Sequence, residues 1–504
     1  MSLRSNITAS YVSQLYVAAV GILIFPLYIQ YMGAEAYGLV GFFTMMQAWF
    51  SFLDLGLTPT ISRQTARYHG GSMTPLAFRQ LFRALSLIFV IVALFGGGSL
   101  WLSAGFIANS WLKVDELKIG DVVLAVQIMA ISVALRWMSG LYRGVVTGSE
   151  RLVSLGVFNV VIATLRFIAV FATMSLYGFT PFVFFLHQLA VAILEIAGLL
   201  LMAYQLLPSR NQLNGNVGWS FKPVKPVLRF ALMIAFTSSI WVLVTQTDKL
   251  VLSGILSLVE YGHFTLAVLV ASGIMVISGP VSMAIMPRMA KLYAESKRRE
   301  MIEVYRNTTQ VVTVTAVSAA ITIALCAEPL LHAWTGDTAL AQEAAPILRL
   351  YSIGYGFLAL GAFAYYLQYA VGVLRYHLIG NSIMVVTLIP SIVFAAKIYG
   401  GIGAGYVWLI LNFLFFFIWV GFVHRKIAPG LHLSWLRNDI AIIVLPVLFT
   451  LTFISSLKSE VEFQSRLDSL AYVAIMSVSA VVVGMIMSPY VRKMFSFERV
   501  DTNK

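Results

Sequence analysis

The chain has 504 residues, of which 60% are hydrophobic and only 11% charged, with a mean hydropathy of +0.87. Soluble domains are about 25% charged, so this composition excludes a water-soluble fold. The formal net charge of +13 suits either nucleic acid or basic loops facing anionic lipid, and the placement of the charges decides between them.

Apolar runs, each long enough to cross a hydrocarbon layer of ~30 Å, follow one another along the chain. The first six are Tyr11–Tyr31, Leu39–Leu57, Leu81–Leu102, Val122–Val146, Leu152–Leu176 and Phe182–Leu206. The next six are Phe230–Gly254, Gly262–Met286, Thr308–Cys326, Ile347–Leu367, His377–Ala396 and Gly403–Phe422, and the last two are Ile440–Ile454 and Leu470–Ser488. The runs are continuous rather than alternating, which predicts helices and not barrel strands. The expected fold is therefore an all-α integral membrane protein of about fourteen transmembrane helices. "AEA" at Ala34–Ala36 has the look of a signal-peptidase site, but the run before it is too long for a signal peptide and carries only Arg4 ahead of it. The first span is expected to be retained.

With the N-terminus placed in the cytoplasm, the outer loops hold Lys113, Lys118, Lys249, Arg349, Lys397, Lys458 and Arg466, while Arg136 and Arg166 fall inside spans. The other basic residues, such as Arg63, Arg67, Arg79 and Arg83, lie in inner loops and tails. This bias predicts both termini inside, and it accounts for the positive charge without nucleic acid. The single cysteine, Cys326, excludes a disulfide framework or Cys-rich metal site and reads as a buried small apolar residue.

The halves match at an offset of about 224 residues. "YRGVVTGSERLVSLG" carries Tyr142, Gly148, Arg151 and Gly156, and "YLQYAVGVLRYHLIG" carries Tyr366, Gly372, Arg375 and Gly380 at the same spacing. "AYGLVGFF" recurs as "EYGHFTLA", "SRQTARY" as "PRMAKLY" and "LYGFTPF" as "IYGGIGA". An even number of spans per copy predicts two six-helix lobes related by a pseudo-two-fold axis along the membrane normal. The expected domains are a first lobe over 1–210, a cytoplasmic linker over 211–228, a second lobe over 229–425, and two additional helices with a cytoplasmic tail over 426–504. This is transporter architecture, and no loop is large enough to house a soluble enzyme.

Chemistry-bearing motifs are scarce. There is no GxxxxGK[ST] and no HExxH, so P-loop ATP hydrolysis is excluded and no metal or cofactor is expected. Ionisable residues inside spans are costly and therefore informative. Arg136 and Arg166 lie near mid-span, Glu195 lies mid-helix and Asp54 lies in the cytoplasmic half of its helix. Their counterparts in the second copy, such as Leu360 for Arg136 and Phe417 for Glu195, are apolar. One reading makes Arg136 and Arg166 cavity cations for an anionic ligand, with a fork suited to phosphate. The other pairs them with Glu195 as structural glue. Arg143 and Arg151 read as interfacial residues. Asp248 and Lys249 sit at the outer end of their span. Neighbours on a helix point about 100° apart, so the two need not pair; Lys249 is expected to reach the interface and Asp248 to face a cleft.

"NITASYVSQLYVAAVGILIFPLYIQYMGAEAYGL", "LDLGLTPTISRQTARY" and "TDKLVLSGILSLVEYGHF" together resemble the polysaccharide-exporter family. This is the group of O-antigen and lipid-linked oligosaccharide flippases in the superfamily that also holds multidrug and toxin extrusion proteins. The resemblance spans nearly the whole chain and implies a flippase in the bacterial inner membrane. Its cargo would be a polyprenyl-pyrophosphate-linked oligosaccharide, an O-antigen or exopolysaccharide repeat unit, moved from inner to outer leaflet by alternating access. Membrane lipid, and a polymerase and glycosyltransferases of the same pathway, are the implied partners. It also implies a cationic cavity, a role that Arg136 and Arg166 fit by type and depth, and a lipid-tail groove formed by the last two helices. Asp54, Glu195 and Asp248 are the candidates for coupling or gating. The alternative is a cation-coupled multidrug or metabolite exporter of the same superfamily.

Overall fold

The computed structural model describes residues 3–213, 215, 217–219, 223–457 and 465–495. Lys458, residues 214, 216 and 220–222 of the expected linker, and the C-terminal tail from 496 lie outside the described residues. Described elements are helical, and twelve helices are long and apolar enough to cross a membrane. The protein is a multi-pass all-α membrane protein.

The helices of the first part are α1 Leu3–Met32, α2 Ala34–Phe50, α3 Leu57–His69, α4 Pro75–Leu102, α5 Ile119–Gly148, α6 Leu152–Tyr177, α7 Pro181–Leu206 and α8 Lys225–Ser253. They are followed by α9 Leu258–Ala294, α10 Arg298–Leu325, α11 Ala327–Thr335, α12 Thr338–Val371, α13 Arg375–Ile427, α14 Leu431–Ser456, α15 Arg466–Met487 and α16 Pro489–Phe495. Local sequence fixes several starts. Thr74 and Thr180 cap α4 and α7 through their hydroxyls, each followed by proline at the first helical position. Ser465 and Asp468 close a capping box on α15.

The run α13 is 53 residues long because two helices join end to end. Gly400 separates them with φ 57° and ψ −139°, a conformation only glycine adopts readily. The stretches on either side coincide with the expected His377–Ala396 and Gly403–Phe422. The expected Phe230–Gly254 span lies on α8, 29 residues long.

The chain divides into two compact units, Met1–Gly262 and His263–Lys504. In the first, α3 nests against α5 along a glycine stripe, Gly140, Gly144 and Gly148, spaced by one turn. A Cβ on Gly144 would stand 2.9 Å from the Thr58 carbonyl oxygen, and one on Gly140 would stand 2.7 Å from Thr58 Oγ1. Small residues at this spacing let helix backbones approach in a bilayer. The helix α8 belongs to the same unit: Trp49 Nε1 donates to the Gln246 carbonyl at 3.3 Å. Aromatic rings fill the core between α1, α6 and α7, with Tyr28 stacked on Phe171 and edge-on to Phe184.

In the second unit, α14 and α15 pack on α10 through Val314, Cys326, Ile443, Val447, Leu451, Met476 and Ala480. Cys326 is buried there as a small apolar side chain. A polar clasp holds one end of these helices. Asp439 accepts from Arg306 Nε at 2.6 Å and Gln310 Nε2 at 2.9 Å, and Gln310 Oε1 accepts from the Ser488 hydroxyl at 2.8 Å.

Candidate functional site

The polar groups of the first unit collect in two tiers across α5, α6 and α7. Arg136 and Arg143 are seven residues apart on α5, Asn159 and Arg166 on α6, and Gln188 and Glu195 on α7. Seven residues are two turns, about 10 Å, so each helix contributes one polar group to each tier on the same face. No charged residue lies between the tiers on these helices.

The first tier contains Arg136, Arg166, Gln188 and, from α2, Gln47. The Oε1 atom of Gln47 accepts from Arg136 Nη1 at 3.0 Å and from Arg166 Nη2 at 3.1 Å. Those two nitrogens therefore stand no more than about 6 Å apart, and like charges at that separation repel by about 3 kcal/mol at an effective dielectric of ~20. Gln188, 2% exposed, fixes the rest of the geometry. Its Oε1 accepts from Arg136 Nη2 at 2.8 Å, and its Nε2 donates to the Arg166 carbonyl at 2.9 Å. The Nε atoms of both arginines are buried without a hydrogen-bond partner, yet each side chain as a whole is only half-buried. Phe43 and Phe167 rings lie 5.4 and 5.1 Å from the two guanidinium carbons. Among the described residues neither arginine forms an ion pair, and all their hydrogen bonds go to neutral oxygens.

A local irregularity of the backbone aims Arg166. Residues Thr164–Ile168 form a π turn inside α6, and π turns interrupt the regular carbonyl ladder. Three successive carbonyls are claimed by side chains instead. His187 Nε2 pairs with the Leu165 oxygen at 2.9 Å, Gln188 Nε2 with that of Arg166, and the Tyr28 hydroxyl donates to that of Phe167 at 3.0 Å. His187 Nδ1 lies 2.9 Å from the Thr173 hydroxyl, which fixes its ring from both sides.

The second tier is an internal ion pair. Arg143 Nη2 binds Glu195 Oε1 at 2.8 Å and its Nη1 donates to Asn159 Oδ1 at 2.6 Å. Glu195 thus makes its direct contact with Arg143, not with Arg136 or Arg166, and Arg143 is held by Glu195 and Asn159 rather than standing as a free interfacial residue. The second-copy counterparts differ as their types require: Leu360 is buried and Phe417 is exposed.

Asp54 and Asp248 belong to neither tier. Asp54 accepts from the backbone N–H of Thr58 at 3.2 Å and its hydroxyl at 2.5 Å, so it holds the start of α3. Asp248 is 2% exposed and its Oδ1 accepts from Lys249 Nζ at 3.3 Å. Helix geometry alone does not require these two charges to pair and lets Lys249 reach the interface. The lysine stem instead folds back one turn, donating to the Thr245 carbonyl at 2.7 Å, which brings the ammonium to its neighbour's carboxylate.

Comparison with known proteins supplies the kinship. The profile of polysaccharide biosynthesis proteins matches residues 3–293. The chain belongs to that family. The MatE profile matches residues 234–396 as well, and the family lies within the MOP exporter superfamily. A member of this group is a flippase or exporter. Curated proteins give no match. Among solved structures, a lipid II flippase MurJ in an inward closed conformation is similar with a TM-score of 0.69 at 12% identity, over 98% of this chain and all of that one. A multidrug resistance MATE transporter in an inward-facing conformation is similar with a TM-score of 0.66 at 13% identity, over 85% of this chain and 98% of that one. At such identities the likeness is one of fold, the two-lobe fold of those transporters.

Proposed function

We propose that the protein flips a polyprenyl-diphosphate-linked oligosaccharide, an O-antigen or exopolysaccharide repeat unit, from the inner to the outer leaflet of the bacterial inner membrane by alternating access. Both termini would lie in the cytoplasm, and the polymerase and glycosyltransferases of the same pathway would supply and consume the cargo. The observation that carries this reading is the first tier: two guanidiniums at mid-span, on residues that are only partly buried, bonded solely to neutral acceptors. Intramembrane charges cost several kcal/mol unless paired or hydrated, and an anionic headgroup supplies the missing counterion. A sugar headgroup cannot cross hydrocarbon, whereas a prenyl tail need not leave it; a cationic polar face on one lobe lowers the barrier for the headgroup alone.

The competing reading, a cation-coupled exporter, draws on the MatE match over 234–396 and needs a carboxylate poised for a cation. Asp54, Glu195 and Asp248 are each engaged by Thr58, Arg143 and Lys249, which favours the flippase. The test is transport in proteoliposomes with a fluorescent polyprenyl-diphosphate oligosaccharide, comparing the wild type with Arg136→Ala and Arg166→Ala. Loss of flipping in both variants is expected; wild-type rates in both would refute the cationic-site reading, and cation-driven drug efflux without flipping would favour the alternative.

A further inference from the structure

We infer that Gln47 is a built-in stand-in for a substrate oxygen: its amide carbonyl occupies the place of a diphosphate oxygen between Arg136 and Arg166, and the ligand enters by displacing it. This rests on the flippase reading and names the residue that tunes its site. Gln188 and Gln47 both accept from the arginines, but they are held differently. Gln188 is buried, with both ends of its amide engaged. Gln47 is only partly buried, and its amide nitrogen reaches only the Phe43 carbonyl, one turn back, at 3.4 Å. A rotamer change of Gln47 therefore breaks little besides its two bonds to the guanidiniums.

The amide oxygen satisfies the geometry of the forks but not their charge. One neutral acceptor serves two cations, whereas a diphosphate offers several anionic oxygens and charge-assisted bonds to each guanidinium. The side chain's chemistry is thus decisive. A carboxylate of the same shape would be a permanent counterion and would close the site, while the amide holds the two guanidiniums in register and leaves the charge for a ligand. Because one oxygen already reaches both forks, a single phosphoryl group can bridge them, and the second phosphoryl of a diphosphate adds charge and further acceptors.

The two substitutions at this position should act in opposite directions. With purified protein and fluorescently labelled farnesyl diphosphate as the probe, Gln47→Glu should melt above the wild type and bind the probe about tenfold or more weakly. Gln47→Ala should melt lower and bind it more tightly, because no acceptor has to be displaced. A matched farnesyl monophosphate should show smaller changes in both. Arg136→Ala and Arg166→Ala should lose binding whatever the residue at 47. Unchanged binding in Gln47→Glu, or weakened binding in Gln47→Ala, overturns the inference while loss in the arginine variants leaves the flippase reading standing. Wild-type affinity in the arginine variants would overturn both.

Discussion

The glycine stripe on α5 gives a prediction with its own control. Replacing Gly144 by alanine puts a methyl group 2.9 Å from the Thr58 carbonyl oxygen and 2.5 Å from Ile61 Cγ2. Neither neighbour can yield easily, since the first is backbone and Ile61 is fully buried, so α3 must back away from α5 by several tenths of an ångström. Overpacking of this kind costs about 1–3 kcal/mol. Against it stands the helix propensity gained from Gly to Ala, about 1 kcal/mol. Gly98→Ala, inside α4, collects the same propensity gain with nothing within 4 Å of the new Cβ. The two variants should therefore differ by about 1–3 kcal/mol in stability, Gly144→Ala below the wild type and Gly98→Ala at or above it. Thermal unfolding of the detergent-solubilised protein, followed by tryptophan fluorescence or by loss of the monodisperse peak, reads the order directly. If Gly144→Ala melts with or above Gly98→Ala, the close α3–α5 approach is not what holds this unit together.

Two further predictions concern the ion pairs. In the second tier, a double-mutant cycle of Arg143→Ala and Glu195→Ala should give a coupling of about 1 kcal/mol, modest because a third of the arginine side chain is exposed; a cycle using Arg166 in place of Arg143 should give a smaller one. In the second unit, Asp439→Ala strands Arg306 and Gln310 and should destabilise by about 2–4 kcal/mol. It should also speed hydrogen exchange in α14 and α16 relative to α12, and uniform exchange across these helices would refute the clasp.

Much of this architecture is legible in the sequence because bilayer crossing is a constraint on composition and length. Apolar runs of sufficient length mark α4 or α7 whatever packs against them. The break at Gly400 was legible too, since a run of glycines interrupts two apolar stretches there. The site was only partly legible. Arg136 and Arg166 stand out because a charge in a span always does, and the seven-residue spacing of Arg136 with Arg143, Asn159 with Arg166 and Gln188 with Glu195 would have revealed both tiers and paired Glu195 with Arg143. Gln47 carries no such signal: a single amide near the end of an apolar helix looks the same whether it faces lipid, a carbonyl or two guanidiniums. The π turn at Thr164–Ile168 is equally silent, because the side chains that take its carbonyls come from α1 and α7, far away in sequence. The Asp248–Lys249 pair escaped for a different reason, as helix geometry separates the two Cβ directions but not the end of a flexible lysine.

The contrast among the helix-borne cations bears on function. Arg143 is met by Glu195, Lys249 by Asp248 and Arg306 by Asp439, each with a direct contact of 3.3 Å or less. These pairs show how the chain compensates a cation when the purpose is structural: it places a carboxylate within reach. Arg136 and Arg166 receive amides instead, in the same unit and one tier away from a carboxylate that serves another arginine. Pairing the first tier would have required only Glu in place of Gln at 47 or 188, two residues already in contact with it. On the flippase reading, the neutral amides keep the two positive charges available to a headgroup, and the cost of holding them without a carboxylate in direct contact is what the bound anion relieves.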